Sequence, residues 1–290
     1  MVGCGYTGRR LLNMCRDANR DVLATVRSEE SLATLRSADV AAEILDLDAP
    51  GGQLPRAWTE GRAVIYMAPP PGAGNTDSRI RAFLARLTAN PSALVYLSTT
   101  AVYGDTGGAT VDETTPPAPA SDRGRRRLDA EQAALGWGRE TGVPVRVLRV
   151  PGIYGPGRLP VERIRQGAPV LRGEDAGPGN RIHVDDLAAV SLAAAHYSGP
   201  ENIFNVGDGS DASTTEYVRT VARLAGLARP PELPLAALLE RVTPAMRGFL
   251  VERRRVETRR MREALGFRPR YADLEAGVAA SLAEENGATA

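Results

Sequence analysis

Over its first 150 residues, the sequence alternates short apolar segments with segments of helical periodicity. The apolar segments are predicted strands, at 21–26, 41–45, 63–68, 93–98 and 143–150. Between them, apolar residues recur at three- and four-residue spacing, which predicts helices at 7–18, 28–38, 76–90 and 125–141. This alternation predicts an α/β fold in which crossover helices connect the strands of a parallel sheet.

The pattern changes after residue 150, where segments rich in glycine and proline separate shorter elements. We predict helices near 185–197, 214–226, 235–242 and 253–265, and a short strand at 202–207. The chain is therefore expected to have two parts. Residues 1–150 form the α/β domain, and residues 151–290 form mainly a smaller lobe, with segments that return to the domain.

The chain opens with VGCGYTGRRLL, in which Gly3, Gly5 and Gly8 fit the pattern Gly-x-Gly-x-x-Gly. The glycines allow a tight turn and bring backbone N–H groups close to the pyrophosphate of a dinucleotide at a helix N-terminus. Because the pattern heads an alternating strand-helix chain, it predicts a Rossmann-type doubly wound sheet. Tyr6 and Thr7, which lie between the glycines, are expected to contact the cofactor as well.

Only Met1 and Val2 precede this glycine loop, although the pattern normally follows a complete strand. We therefore expect the first strand of the sheet to be largely missing. One hypothesis is a start codon assigned several residues too late, and the other is a truncated version of the fold.

Arg27 and Ser28 end the second predicted strand, where the choice between the two nicotinamide cofactors is made. An acidic residue at this place would bind the ribose 2′-hydroxyl of NAD(H). An arginine can instead pair with a 2′-phosphate through two hydrogen bonds. The sequence therefore favours NADP(H) over NAD(H). In the alternative, Arg27 is solvated and Glu29 or Glu30 binds the ribose.

Two further candidate cofactor contacts, Asp46 and Ala68, lie at the carboxyl ends of predicted strands. Ligands of open α/β sheets bind in the crevice at this edge. Asp46 suits a contact with the adenine, but a carboxylate at this place also suits the cap of a turn.

The absence of lysine excludes several kinds of chemistry. All 36 basic residues are arginines, so the chain has no lysine for a Schiff base or a P-loop. Its two cysteines and two histidines lie too far apart in sequence for metal ligands, and no metal site is expected. So few cysteines also favour a reducing cytoplasm over a disulfide-rich compartment.

Charge and hydropathy argue against nucleic acid and membrane as partners. The net charge is only +1, and the basic segment 251–263 interleaves glutamates with its arginines and contains no aromatic residue. That pattern is typical of a solvated helix. We see no apolar run of the roughly 20 residues that span a bilayer, and no signal peptide. A small molecule is therefore the expected partner.

Taken together, six segments resemble the extended short-chain dehydrogenases/reductases, the NAD-dependent epimerase/dehydratase family. They are GCGYTG (3–8), YLSTTAVYGD (96–105), LRVPGIYGPGR (148–158), RIHVDDLA (181–188), NIFNVGDG (202–209) and LGFRPRYADLEAGV (265–278). The resemblance implies a Rossmann domain that binds NAD(P) and carries a small C-terminal substrate lobe. It also implies a homodimer that forms through a four-helix bundle.

The resemblance assigns catalytic positions residue by residue. The family's Ser or Thr, four residues before the tyrosine of VYG, is Thr99. The family's Tyr-x-x-x-Lys pair is followed by a glutamate, which is Glu131 in SDRGRRRLDAE (121–131). Counting back places Arg127 at the lysine position and Arg123 at the tyrosine position. A guanidinium, with a pKa above about 12, cannot replace the tyrosine that exchanges a proton with the substrate.

Three hypotheses follow for the function. In the first, an enzyme uses a relocated acid or base, with Tyr103 as first choice and Tyr154 or Asp105 as alternatives. The second is an NADP(H)-binding sensor or regulator without turnover. In the third, Arg123 binds an anionic substrate and the cofactor sets the chemistry. We favour the enzymatic hypotheses, with Tyr154 and Arg158 as candidate substrate contacts.

Overall fold

The structure, a computed structural model, describes residues 1–287, of which 244–246 and 249 are described by their backbone alone. Its strands are β1 (Ala24–Val26), β2 (Ala42–Ile44), β3 (Ala63–Tyr66), β4 (Ala93–Thr99), β5 (Thr110–Val111), β6 (Val145–Val150), β7 (Gly152–Tyr154), β8 (Val170–Leu171), β9 (Arg181–His183), β10 (Ile203–Asn205), β11 (Glu232–Leu233) and β12 (Arg255–Val256). Its α-helices are α1 (Tyr6–Asp17), α2 (Glu29–Ser37), α3 (Ser78–Ala85), α4 (Asp122–Thr141), α5 (Val161–Arg165), α6 (Val184–Ala195), α7 (Thr214–Leu224), α8 (Leu235–Leu239), α9 (Pro244–Val251), α10 (Arg259–Glu263) and α11 (Leu274–Gly287).

The central sheet is parallel, and a single residue joins its two parts. One part contains β2 and β1, and the other has the order β3–β4–β6–β10. Val2 forms parallel bridges to Thr25 of β1 and to Tyr66 of β3. Its N–H donates to the carbonyl of Ile65 at 2.9 Å, and its own carbonyl accepts from Met67 at 2.8 Å. The first strand of the fold is therefore reduced to one bridging residue, as the sequence predicts.

Helices cover both faces of the sheet, which confirms the doubly wound α/β fold. Side chains alternate between the faces along each strand. On one face, Ile65 and Val95 belong to a buried cluster with Leu11 of α1 and Leu187 of α6. On the other, Tyr66, Leu94 and Tyr96 belong to a cluster with residues of α3 and α4.

The remaining elements form a smaller cluster and contribute to the sheet. Tyr154, Val221 and Val278 pack together where β7, α7 and α11 meet. The chain also returns to the larger part, because β10 pairs with β6 and α6 packs on α1.

The basic segment 251–263 does not form the single helix that its charge pattern predicts. Val251 is the last residue of α9, the middle of the segment is strand β12, which pairs with β5, and helix resumes only at Arg259–Glu263. Arg255 and Glu257 donate backbone hydrogen bonds to Ala109 and Val111. This pairing with a distant segment outweighs the local helical preference of arginine and glutamate. The helices α5, α9 and α11 are additions that the sequence reasoning missed.

A buried ion pair fixes helix α4 on the sheet. Glu131 of α4 is 1% exposed, and Arg149 of β6 is 2% exposed. Arg149 donates to Glu131 at 2.8 Å, and the hydroxyl of Ser98 on β4 donates to the same carboxylate at 2.5 Å. Arg149 also donates to the hydroxyl of Tyr103 at 2.9 Å. One helix and two strands are thus joined at a place from which water is excluded.

We expect Arg149→Met to destabilise the protein by about 3–5 kcal/mol, because it leaves the Glu131 carboxylate buried without its cation. Combining it with Glu131→Met should recover much of this loss. Arg146→Met is the matched control, since Arg146 is also buried on β6 but donates to neutral oxygens such as Asn202 Oδ1. Urea unfolding measures the wild type, both single variants, the double variant and the control. An additive double variant would contradict the pairing.

Candidate cofactor and substrate cleft

A cleft of about 600 Å³ opens at the carboxyl ends of the parallel strands. This is the edge where open α/β sheets bind their ligands. The lining comes from the glycine loop, the segments that follow β1, β3, β4 and β6, and the start of α4. The predicted cofactor contacts Gly3, Gly5, Tyr6, Thr7, Gly8, Arg27, Ser28 and Ala68 all line it, as does Arg127 at the family's lysine position.

The glycine loop packs so closely that side chains are excluded at Gly3. Its φ is +83°, and an added Cβ would lie 2.7 Å from the backbone nitrogen of Ala68. Gly5 differs, because a Cβ there would meet no atom within 4 Å. The loop therefore lies against the end of β3 and leaves open space above Gly5.

The N-terminus of α1 is suited to an anion. Gly5 is its N-cap, no side chain caps the helix, and the first turn contains no acidic residue. In contrast, α2, α3 and α4 are capped by the side chains of Ser28, Asp77 and Ser121. Uncapped N–H groups and the helix dipole attract phosphate groups. The loop thus fits the pyrophosphate of a dinucleotide.

At one end of the cleft, Arg27 and Ser28 follow β1. The side chain of Arg27 is 69% exposed, and its guanidinium lies 3.7 Å from Asp48. Asp48 is held more closely by Arg79, through hydrogen bonds of 2.7 and 2.5 Å. Ser28 caps α2 and also donates to the hydroxyl of Ser31.

The structure does not bring Asp46 into the cleft. Its carboxylate accepts the backbone N–H of Asp48 at 2.9 Å, so it closes a turn. Leu45 and Leu47 line the cleft on either side of it. The alternative for Asp46, the cap of a turn, therefore describes the geometry.

At the other end, Thr99 ends β4 and faces the start of α4. Its hydroxyl accepts the backbone N–H of Ala101 at 3.3 Å. Arg127 donates to the hydroxyl of Tyr96 at 3.1 Å and to the carbonyl of Leu97 at 2.7 Å, which holds it against β4. Gly124 lets the start of α4 lie close to the segment that follows β4, because a Cβ there would lie 2.8 Å from the carbonyl oxygen of Ala101.

Arg123 lies one turn before Arg127 and lines the same end of the cleft. Burial lowers the pKa of Arg123, and the neighbouring Arg127 charge lowers it further, while Glu252 acts in the opposite direction. Arginine nevertheless stays protonated in proteins. Two like charges held at one end of a cleft favour an anion between them.

None of the three relocated acid-base candidates lines the cleft. The hydroxyl of Tyr103, which is 2% exposed, lies 2.8 Å from the carbonyl oxygen of Asp112 and from Asn205 Oδ1. Tyr154 is buried and packs edge-on against His183. Asp105 accepts backbone hydrogen bonds from Gly107 and Arg253. Hydrogen bonding and packing therefore hold all three groups elsewhere, and Tyr154 is not a substrate contact in this geometry.

The charged side chains that line the cleft are all positive. Among the described residues, the lining contains five arginines and no aspartate, glutamate or histidine; they are Arg27, Arg79, Arg123, Arg127 and Arg158. Tyr6 is the only one of the chain's eight tyrosines there. Sequence reasoning missed Arg79, which lies in the first turn of α3 outside any motif.

Residues 1–287 also bear on membrane spans and metal sites. No helix in this part of the chain is both long and apolar enough to cross a membrane. Over the same residues, no group of three or more His, Cys, Asp or Glu side chains is arranged to hold a metal ion.

Comparison with known proteins agrees with the fold. The sequence model of the NAD dependent epimerase/dehydratase family matches residues 2–207. A functionally unknown conserved protein from Silicibacter pomeroyi DSS shares the structure, with a TM-score of 0.79 and 30% identity over 98% of this chain and 97% of that chain.

Two curated relatives match part of the chain. Protein YeeZ of Escherichia coli is 33% identical over 141 residues, 48% of each protein. The dTDP-6-deoxy-L-talose 4-dehydrogenase (NAD(P)(+)) of Kitasatospora kifunensis is 32% identical over 197 residues, 63% of this chain and 59% of that protein. The chain spans about half the length of the curated relatives it matches. Because the family match runs from the glycine loop through the strands of the central sheet to the loop after β10, the chain belongs to the NAD-dependent epimerase/dehydratase family.

Proposed function

We propose that the chain binds NADP(H) and uses it for oxidoreductase or epimerase chemistry on an anionic small molecule. The observation that carries this proposal is the cleft lining, which combines an uncapped glycine loop with five arginines and no carboxylate. Such a lining favours ligands that carry several negative charges.

The cofactor would lie along the cleft with its pyrophosphate at the first turn of α1. Arg27, Ser28 and Ser31 would hold the 2′-phosphate, because all three carry hydrogen-bond donors and line the cleft just after β1. Thr99 and Arg127 would then lie at the nicotinamide end. When bound, the nicotinamide supplies a hydride donor or acceptor.

At that end, Arg123 and Arg127 would occupy the places of the family's tyrosine and lysine. Arg123 would bind an anionic group of the substrate, and Thr99 would donate a hydrogen bond to the reacting oxygen. Fixed positive charge stabilises an oxygen that becomes negative during the reaction. Since a guanidinium does not release its proton near neutral pH, water would exchange the proton.

A nucleotide sugar is one substrate of the proposed class, because its diphosphate carries negative charge. The dehydrogenase of K. kifunensis has a nucleotide-sugar name, which supports this choice. A small carboxylate-bearing carbonyl compound satisfies the same charge requirement.

The second candidate function is an NADP(H)-binding sensor without turnover. The placement of Tyr103, Tyr154 and Asp105 outside the cleft favours it, because those side chains were the candidates for a relocated acid or base. An arginine-lined cleft binds the cofactor equally well in this case. NADPH binding by the wild-type protein with neither NADPH consumption nor conversion of the substrate, across anionic carbonyl compounds and nucleotide sugars, would favour the sensor.

The 2′-phosphate contact predicts the cofactor preference. We expect the wild-type protein to bind NADPH more tightly than NADH. Arg27→Leu should weaken NADPH binding about tenfold through the loss of a charged hydrogen bond, and leave NADH binding unchanged. Fluorescence titration measures both constants. Arg36→Leu is the control, because Arg36 is also an exposed arginine but lies outside the cleft. An equal effect on both cofactors would refute the contact.

The double variant Arg123→Tyr, Arg127→Lys tests the other end of the cleft. If the arginines act on an anionic substrate, kcat/KM for NADPH-dependent reduction should fall about 100-fold, because a positioned cation is lost. Arg126→Lys serves as control, since Arg126 lies on the same helix but does not line the cleft. A gain of activity in the double variant would show a decayed family site instead.

A further inference from the structure

Arg158 and Tyr6 connect the smaller lobe with the glycine loop. The guanidinium carbon of Arg158 lies 3.9 Å from the centroid of the Tyr6 ring. Tyr6 is the first residue of α1, and Arg158 follows β7. Both side chains line the cleft. The contact therefore places a cation from the second half of the chain beside the uncapped N-terminus of α1.

The loop that carries Arg158 is anchored on Tyr6. The hydroxyl of Tyr6 donates to the carbonyl of Pro156 at 2.9 Å. Gly155 has a φ of +147°, and a Cβ there would lie 2.7 Å from this hydroxyl, so glycine is required for the close approach. From the other side, Glu285 accepts the backbone N–H of Gly157 at 2.5 Å. The position of the loop is thus set before any ligand arrives.

Stacking leaves the hydrogen-bond donors of Arg158 available to a ligand. A guanidinium that lies over a ring uses its face, while its five N–H groups point outward in its plane. Within residues 1–287, the guanidinium of Arg158 contacts the ring of Tyr6 and forms no ion pair with a carboxylate. The residue is exposed at the mouth of the cleft.

We propose that Arg158, stacked on Tyr6, binds the cofactor pyrophosphate from the side opposite the α1 N-terminus, as a clamp between the two parts of the chain. This role differs from the substrate contact that the sequence suggests for Arg158. It rests on the proposed function in one respect, namely that the cleft binds NADP(H). Tyr6 acts as a positioning residue for Arg158.

The test uses the whole chain and equilibrium binding of NADPH, measured by fluorescence titration. Arg158→Gln should weaken NADPH binding about tenfold, because the pyrophosphate loses one charged hydrogen-bond donor. Binding of 2′-AMP, which has the 2′-phosphate but no pyrophosphate, should not change. Arg163→Gln is the control, because Arg163 is a neighbouring exposed arginine outside the cleft. Unchanged NADPH binding in Arg158→Gln, or equal weakening of 2′-AMP, would overturn the clamp.

Variants of Tyr6 provide a second readout. Tyr6→Phe keeps the ring face but loses the hydrogen bond to Pro156, so it should weaken NADPH binding less than Tyr6→Leu, which should resemble Arg158→Gln. Because both residues act through one contact, the double variant should be no weaker than Arg158→Gln alone. Fully additive losses would contradict the proposal. If the wild-type protein itself does not bind NADPH, the proposed function fails, which is a different result from an unaffected Arg158→Gln.

Discussion

The buried pair of Glu131 and Arg149 is the interaction on which the geometry of the cleft depends. It joins α4 to β6, and Ser98 extends it to β4. Thr99 follows Ser98 directly, and Arg127 lies one helical turn before Glu131. Removing one partner of a buried ion pair leaves the other charge uncompensated, which lowers the free energy of unfolding by several kcal/mol. The pair therefore fixes the relative positions of Thr99, Arg123 and Arg127, whatever chemistry they perform.

The second constraint is charge. Each arginine of the lining is held differently: Arg79 by Asp48, Arg127 by oxygens of β4, and Arg158 by the ring of Tyr6. Asp48 offsets part of the charge of Arg79, whereas the partners of Arg127 and Arg158 are neutral, and the helix dipole of α1 adds positive potential. An elongated ligand with a pyrophosphate and a further phosphate offsets this potential along the whole cleft. The proposed binding of NADP(H) and the proposed choice of an anionic substrate would thus share one electrostatic cause.

Much of the fold could be predicted from the sequence, because periodicity and the glycine loop are local signals. The strands β1, β2, β3, β4 and β6 and the near absence of the first strand follow from them, whereas the bridge that Val2 forms between β1 and β3 does not. The structure of residues 251–263 could not be predicted in this way, since strand β12 forms only through its pairing with β5, which is far away in sequence. The same reason explains Tyr103: its motif places it near Thr99, but its hydroxyl is taken by partners on other elements. Arg79 has no motif at all, and only the folded chain brings it to the cleft.

A structure determined with NADP⁺ tests the central claim most directly. The account predicts that the pyrophosphate lies between the first turn of α1 and Arg158, with the 2′-phosphate at Arg27. It also predicts that the nicotinamide lies beside Thr99 and Arg127, with no tyrosine hydroxyl within hydrogen-bond distance of its reactive face. A nicotinamide located away from Thr99, or a tyrosine that moves into the place assigned to Arg123, would contradict it.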